Sequence, residues 1–138
     1  MFIYEIGAIT WYNKTDQMYR AMNWRKEIDL WAKDNYIETF NPAITYEKEL
    51  NQEYNLNLCV VQNDYYINKC DIAIINLDNL DKSPGSIYEL VRFKLLNKPV
   101  IAFGECDWSK NPHIASCITQ TCKNLEDVLN LISIMFDQ

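Results

Sequence analysis

The chain has few of the residues on which metal centres and disulfide frameworks depend. It carries one histidine, His113, and five cysteines, and no two of the cysteines are spaced as C-x-x-C. A zinc site would need an unusual ligand set, and we expect no metal and no cofactor. An odd set of cysteines without such pairs is typical of reduced, buried thiols, and we therefore expect a cytoplasmic protein.

Positive charge and long hydrophobic runs are also scarce. The net charge is −6 and the isoelectric point is about 4.7, so the surface repels phosphate backbones and excludes a nucleic acid polymer as partner. A single small anion can still bind to the N–H groups at a helix start. The apolar stretches fall far short of the roughly 20 residues that cross a bilayer, and no basic segment precedes an apolar one at the N-terminus. We expect neither a membrane partner nor a targeting signal.

What the chain does contain is enough apolar surface for one core. Of its 138 residues, 49% are hydrophobic and 13% are aromatic, which is far from the profile of a disordered chain. No repeat or low-complexity segment divides it. The length suits one domain, and we assign residues 1–138 to it.

Apolar spacing predicts alternating strands and helices. The predicted strands are Phe2 to Ile9, Tyr36 to Phe40, Asp71 to Leu77, Val100 to Phe103 and a short one within Ile114 to Thr121. The predicted helices run from Asn13 or Thr15 to about Asp34, from Leu58 to Lys69, from Ser86 to Asn97 and onward from Asn124, with a short one around Glu47 to Tyr54 in an otherwise irregular segment.

This order predicts a single-domain α/β fold. We expect a doubly wound, flavodoxin- or Rossmann-like sheet of about five mostly parallel strands with helices on both faces. Such a sheet binds its ligand at the carboxyl ends of the strands. The loops after Ile9, Leu77 and Phe103 are therefore where we expect the chemistry.

Glu89 is the most informative single residue. It follows a Ser-Pro-Gly-Ser turn and stands in the first turn of a predicted helix, where partial positive charge favours an ionised carboxylate. Such a carboxylate is what covalent glycosyl transfer requires. Ser86 and Glu89 also fit a capping box, S-x-x-E, in which the Glu side chain only binds the Ser backbone N–H. The spacing alone does not decide between these two hypotheses.

The ordered set of motifs resembles the nucleoside 2-deoxyribosyltransferase family and the related nucleoside 5′-monophosphate N-glycosidases. The matching segments are Ile3 to Gly7 (IYEIG), Asp71 to Asp78 (DIAIINLD), Ser83 to Glu89 (SPGSIYE) and Asn97 to Val100 (NKPV), with Asp64 as the acid before the central strand. Strong motif identity is confined to roughly residues 64–101. The resemblance implies a nucleoside or nucleotide substrate and a homo-oligomer whose site is completed by a neighbouring subunit.

The resemblance also implies roles for individual residues. Glu89 would attack C1′ of the sugar, and Asp64 would supply or relay the proton that the leaving base needs. Tyr4 and Trp11 would stack on the base, with ordinary core packing as the alternative for Tyr4 above all. Gly7 and Gly85 would let the backbone approach the ligand.

Departures from the family pattern keep other functions open. Ser83 stands where many deoxyribosyltransferases carry an Asp, which resembles the monophosphate N-glycosidases, although it also suits a helix N-cap before Pro84. We expect Asp78 to contact sugar hydroxyls and Ser116 to offer a second phosphate contact, across a subunit boundary.

The residues after Glu89 favour a further alternative. Val91 and Arg92 stand where the family has small residues, which admits a nucleotide-binding module without catalysis. A flavodoxin-like electron carrier is disfavoured because the loops lack a Ser/Thr/Gly-rich phosphate cradle.

Overall fold

The computed structural model describes residues 1–45 and 56–136, and the short helix predicted around Glu47 to Tyr54 lies outside these ranges. The described residues form one five-stranded, all-parallel sheet in the order β2-β1-β3-β4-β5. The strands are β1 Phe2–Ile6, β2 Glu38–Phe40, β3 Ile72–Asn76, β4 Val100–Phe103 and β5 Gln120–Thr121.

Helices cover both faces of the sheet. They are α1 Thr10–Lys14, α2 Tyr19–Asp34, α3 Leu56–Lys69, α4 Pro84–Leu95, α5 Pro112–Ala115 and α6 Leu125–Met135, with 3-10 turns at Leu80–Lys82 and Asp107–Lys110. Residues 42–45 also have helical conformation. The predicted fold class is confirmed.

Two apolar layers hold the helices against the sheet. Because side chains alternate along a strand, Tyr4 and Ile6 of β1 pack with Leu90 and Phe93 of α4, whereas Ile3 faces the opposite layer. That second layer is built by α2 and α6 and includes Ile28, Val128 and Ile132. Strand β3 is buried along its whole length, as expected for a central parallel strand.

The N-terminal region differs most from the prediction. Strand β1 ends at Ile6, and the single predicted helix is divided into α1 and α2. Asp16 lies between them with φ of 56°, a left-handed conformation that no helix interior accepts. The apolar spacing along α2 is continuous, so the pattern did not reveal this break.

Helix α4 begins two residues before its predicted start. Pro84 occupies the first helical position and Ser83 the N-cap, which is the usual place for proline at a helix start. Ser86 therefore lies inside the first turn. The last strand was predicted within Ile114 to Thr121, and β5 lies there as Gln120–Thr121, whereas Ile114 and Ala115 belong to α5 Pro112–Ala115.

Other features of the chain bear on its class. Asn124 caps α6 as predicted, with its side chain accepting the Asp127 N–H at 2.9 Å. The five cysteines are free, three of them buried and two half-buried. In residues 1–45 and 56–136 no helix is long and apolar enough to cross a membrane.

The strand order places a crevice at the carboxyl edge of the sheet. The chain proceeds from β1 outward to β2 and then crosses back to β3, so the direction of winding reverses between β1 and β3. The loops that leave these two neighbouring strands turn toward opposite faces, and ligands of open α/β sheets bind in the gap between them.

Candidate active site

A cavity of about 310 Å³ lies at this crevice, between the segment after β1 and the start of α4. Its volume is in the range of small-molecule sites. Five of the predicted site residues line it together: Gly7, Trp11, Ser83, Gly85 and Glu89.

The Glu89 side chain faces this cavity rather than the backbone of its own helix. It is 7% exposed, and its carboxylate accepts a hydrogen bond from the Tyr4 hydroxyl of β1. The Ser86 N–H donates to the Ser83 carbonyl at 3.1 Å instead of to Glu89. The capping-box alternative is therefore not what the structure contains.

Burial makes Glu89 a much weaker acid than usual. Removal from water raises the pKa of its carboxyl from 4.5 to about 7. The Tyr4 hydrogen bond and the positive charge of Arg25 lower that pKa, whereas the nearby Asp64 carboxylate raises it. A carboxyl poised near neutrality in a cavity is typical of functional sites.

The rest of the cavity wall is polar and carries positive charge. Lys14 and Lys82 line it, and the Lys82 ammonium lies 5.5 Å from the centre of the Trp11 ring. The hydroxyls of Ser83 and Ser86 are 2.7 Å apart, so neither is used to cap the backbone of α4. The cavity wall thus combines lysine side chains, hydroxyls and a helix start, all of which suit an anionic group.

Tyr4 does not take the role of a stacking residue. It has no exposed surface, and its ring packs between Phe40 and Phe93 at centroid distances of 5.3 and 5.5 Å. A substrate base has no access to that ring, so the core-packing alternative holds for the ring. The hydroxyl group nevertheless reaches the site through Glu89.

The two glycines at the cavity differ in how much space surrounds them. A Cβ on Gly7 would lie 2.7 Å from Cζ2 of Trp24, so this glycine is required by the packing of α2 behind the strand end. A Cβ on Gly85 would meet nothing within 4 Å. Gly85 thus leaves open space at the cavity wall, and Gly7 does not.

Asp64 lies outside the cavity lining. Its Oδ1 accepts the Tyr88 hydroxyl at 2.9 Å and lies 4.0 Å from Nε of Arg92, on the outer side of α3 and α4. The bulky residues that depart from the family pattern are on this side too, since Val91 is exposed and Arg92 pairs with Asp64. They do not line the cavity.

Asp78 and Ser116 are not brought to the cavity either. Asp78 accepts the Glu105 N–H at 2.9 Å and so ties the loop after β3 to the loop after β4. Ser116 donates to the His113 carbonyl and borders a separate depression with Lys98 and Thr119, at the amino edge of the sheet. Within its own chain Ser116 cannot reach the site.

No family model and no curated protein sequence matches the chain. A solved 2-deoxyribosyltransferase of Bacillus psychrosaccharolyticus superposes with a TM-score of 0.69 at 20% identity, over 94% of this chain and 91% of that one. The CMP N-glycosidase of Clostridium botulinum gives 0.61 at 14% identity, over 97% and 98%.

The chain has the fold of these two enzymes. At such identities the likeness concerns the backbone, and it agrees with the fold that the motif resemblance implied. In the part of the chain that the structure describes, no group of three or more His, Cys, Asp or Glu side chains is placed to hold a metal ion.

Several residues of the cavity region were missed from the sequence. Lys14, Lys82, Thr10 and Ser86 line the cavity, and Arg25 lies directly behind Gly7. Lys82 could have been found, because it immediately precedes the Ser83 turn on the same loop. Lys14 lies between Asn13 and Thr15, the two predicted helix starts, and nothing in its spacing indicated a cavity.

Proposed function

We propose that the chain cleaves or transfers the N-glycosidic bond of a nucleoside or nucleotide, with Glu89 as nucleophile. The observation that carries this proposal is the buried Glu89 carboxylate, held by Tyr4 at the base of an open cavity rather than bound to its own helix start. The fold shared with a 2-deoxyribosyltransferase and a CMP N-glycosidase supports the same class of reaction.

The chemistry follows a double displacement. A carboxylate oxygen of Glu89 forms a bond to C1′ as the C1′–N bond breaks, and the electron pair leaves with the base, which takes up a proton. A nitrogen of a second base, or water, then attacks C1′ and releases the carboxylate. The predicted role of Asp64 in the protonation stays a prediction, and its contacts with Tyr88 and Arg92 do not direct it into the cavity.

Transfer between bases is our leading version of this reaction, by resemblance to the deoxyribosyltransferases. The test is incubation of a deoxynucleoside with a foreign base, followed by chromatography of the products. We expect a new nucleoside with the natural protein and none with Glu89→Gln. A Glu89→Gln variant that still exchanges bases at the natural rate would contradict the proposal.

Hydrolysis of a nucleoside 5′-monophosphate is the second candidate, and the cavity wall favours it specifically. Lys14, Lys82, Ser83 and Ser86 all line the cavity, and together they suit a doubly charged phosphate better than a neutral sugar hydroxyl. If this candidate is right, Lys82→Met should raise KM for a deoxynucleoside monophosphate by about tenfold or more and leave kcat little changed.

A matched control separates this effect from a general loss of charge. Lys110 is exposed on the 3-10 turn after β4 and lies 3.4 Å from Asp107, away from the cavity. Lys110→Met should leave KM unchanged. Equal KM values for the monophosphate in the Lys82 and Lys110 variants would exclude a phosphate site at this wall.

A further inference from the structure

Arg25 is a fully buried charge directly behind the cavity wall. It lies on α2 and has no exposed surface. One guanidinium nitrogen donates to the Ala21 carbonyl at 2.6 Å, and the other donates to the Gly7 carbonyl at 3.0 Å. The guanidinium also lies 4.3 Å from the centre of the Trp24 ring. These contacts hold Arg25 under the end of β1.

The acidic group nearest to Arg25 does not neutralise it fully. Glu5 is completely buried, and its Oε2 lies 3.9 Å from Nε of Arg25, which is beyond hydrogen-bond distance. Burial and contact with the Asp29 carboxyl raise the pKa of Glu5 well above its ordinary value. The weakened ionisation of Glu5 leaves the positive charge of Arg25 less compensated by this neighbour. Burial lowers the pKa of Arg25 only to about 10, so it stays charged at neutral pH.

Arg25 contacts the cavity wall through the backbone of Gly7. Gly7 follows β1 directly and lines the cavity, and its carbonyl is held by Arg25. The same strand carries Tyr4, whose hydroxyl binds Glu89. A buried cation interacts with a buried carboxylate far more strongly than it would through water.

We propose that Arg25 is a positioning residue of the Glu89 site, which fixes the Gly7 wall of the cavity and supplies buried positive charge that favours the ionised carboxylate. The proposal rests on the proposed function in assigning Glu89 to the chemistry. Its physical part, the link between Arg25 and the ionisation of Glu89, does not need an active enzyme to be measured.

The test is the titration of the Glu89 carboxyl in the ligand-free protein, followed by carbon NMR of side-chain-labelled glutamate and assigned with Glu89→Gln. The charged or titratable groups near Glu89 are Tyr4 from β1, Arg25 from α2, Asp64 from α3, and the cavity residues Lys14 and Lys82. Arg25→Met removes only the positive charge of Arg25 from this set. Because that charge favours the ionised carboxylate, we expect an upward shift of the Glu89 midpoint in the variant.

The matched control is Lys26→Met, which removes one positive charge from an exposed position on the same helix. It should leave the Glu89 midpoint where it is. Arg25→Lys keeps the positive charge, so its Glu89 midpoint should stay close to that of the natural protein. The lysine side chain is too short, however, to keep both backbone contacts. In an active enzyme, Arg25→Lys should lose kcat by up to about 100-fold through displacement of the wall.

A second pair of variants keeps the test decisive if Arg25→Met does not fold. The double variant Glu5→Gln, Arg25→Gln replaces both buried polar partners together, which folded proteins tolerate better than removal of one partner alone. Compared with Glu5→Gln alone, it should show the same upward shift. Equal Glu89 midpoints in the natural protein and a folded Arg25→Met, or in Glu5→Gln and a folded double variant, would overturn the proposal. Failure of both neutral variants to fold would also overturn it, because Arg25 would then serve the fold.

The outcome for the proposed function is separate. A protein that releases no base but whose Glu89 midpoint follows Arg25 would refute the enzymatic assignment and keep the electrostatic link. An active protein whose Glu89 midpoint is the same with and without Arg25 would keep the enzymatic assignment and refute the electrostatic link.

Discussion

At the scale of single residues, the site depends on one carboxyl group whose ionisation is disfavoured by burial. Glu89 is buried beside Tyr4, and its pKa is raised from 4.5 to about 7. The sequence indicated an easily ionised Glu at a helix start, because the partial positive charge there is visible in the motif. Burial is set by how α4 packs on β1, and no local pattern reports it.

This pKa predicts the pH dependence of the reaction. Only the ionised carboxylate is a nucleophile, so kcat/KM should rise with pH through an apparent pKa of about 7 in the free enzyme. At pH 6 the rate should be roughly a tenth of its plateau. The measurement is a kcat/KM profile from pH 5 to pH 9 with a substrate that is stable throughout. A limb near the ordinary value for Glu would contradict the burial of this group.

The same pKa shift predicts that the stability of the fold falls with rising pH, while the activity rises. Because the folded pKa lies above the unfolded one, the native state loses stability as pH rises from 4.5 through about 7. Glu89→Gln has no charge to bury and should be more stable than the natural protein at pH 8, by up to about 3 kcal/mol. Urea denaturation at pH 4 and pH 8 checks this. A difference between the two proteins that does not grow with pH would contradict it.

At the scale of elements, the long apolar patterns predicted the core and failed at the ends. Strand β4 was predicted with its observed bounds, and α6 starts after Asn124 as expected. The division of α1 from α2 was missed because it depends on the left-handed conformation of Asp16. Asp can adopt this conformation but usually does not, so its presence in the sequence does not mark a break. The start of α4 at Pro84 was predicted only as the alternative in which Ser83 is the N-cap, because the S-x-x-E pattern competed with Pro84 as a start signal.

Alanine substitution of the two cavity glycines, one after β1 and one in the first turn of α4, should affect stability differently. Gly7→Ala places a methyl group 2.7 Å from the Trp24 ring, so α2 or the strand end must shift, at a cost of about 1–3 kcal/mol. Gly85→Ala meets nothing within 4 Å and lies in a helix, so stability should be unchanged or raised by up to about 1 kcal/mol. Thermal and urea unfolding of the two variants compare them directly. Equal stabilities would show that α2 does not pack against Gly7 as described.

At the scale of the whole molecule, the strand order decides which sequence motifs meet. The loops after β1 and β3 adjoin at the switch point, which brings Gly7 and Trp11 to the start of α4, as the general rule for such sheets predicted. Asp64 and Ser116 were carried over from the resemblance, and the fold of one chain leaves them elsewhere. Their positions depend on how α3 and α5 pack, or on a neighbouring subunit, and neither is visible in a motif.

The predicted homo-oligomer has a candidate surface. Apolar side chains stay exposed along the neighbouring helices α3 and α4, which are joined by the Tyr88–Asp64 hydrogen bond: Leu58, Val61, Tyr65, Val91 and Leu95. Charged substitution there should oppose association. We expect Leu95→Glu to shift the protein toward monomer in light scattering after size exclusion, whereas Leu30→Glu, at an equally exposed position on α2, should not. A natural protein that is already monomeric would contradict the prediction.

The most direct test of the central claim is mass spectrometry after brief incubation with a 2′-fluoro-2′-deoxynucleoside, whose glycosyl-enzyme intermediate is slow to break down. We predict a mass increase equal to the fluorinated sugar, mapped by peptide analysis to Glu89 and absent from Glu89→Gln. Unmodified protein with intact substrate, or an adduct at any other residue, would contradict the assignment of Glu89 as the nucleophile.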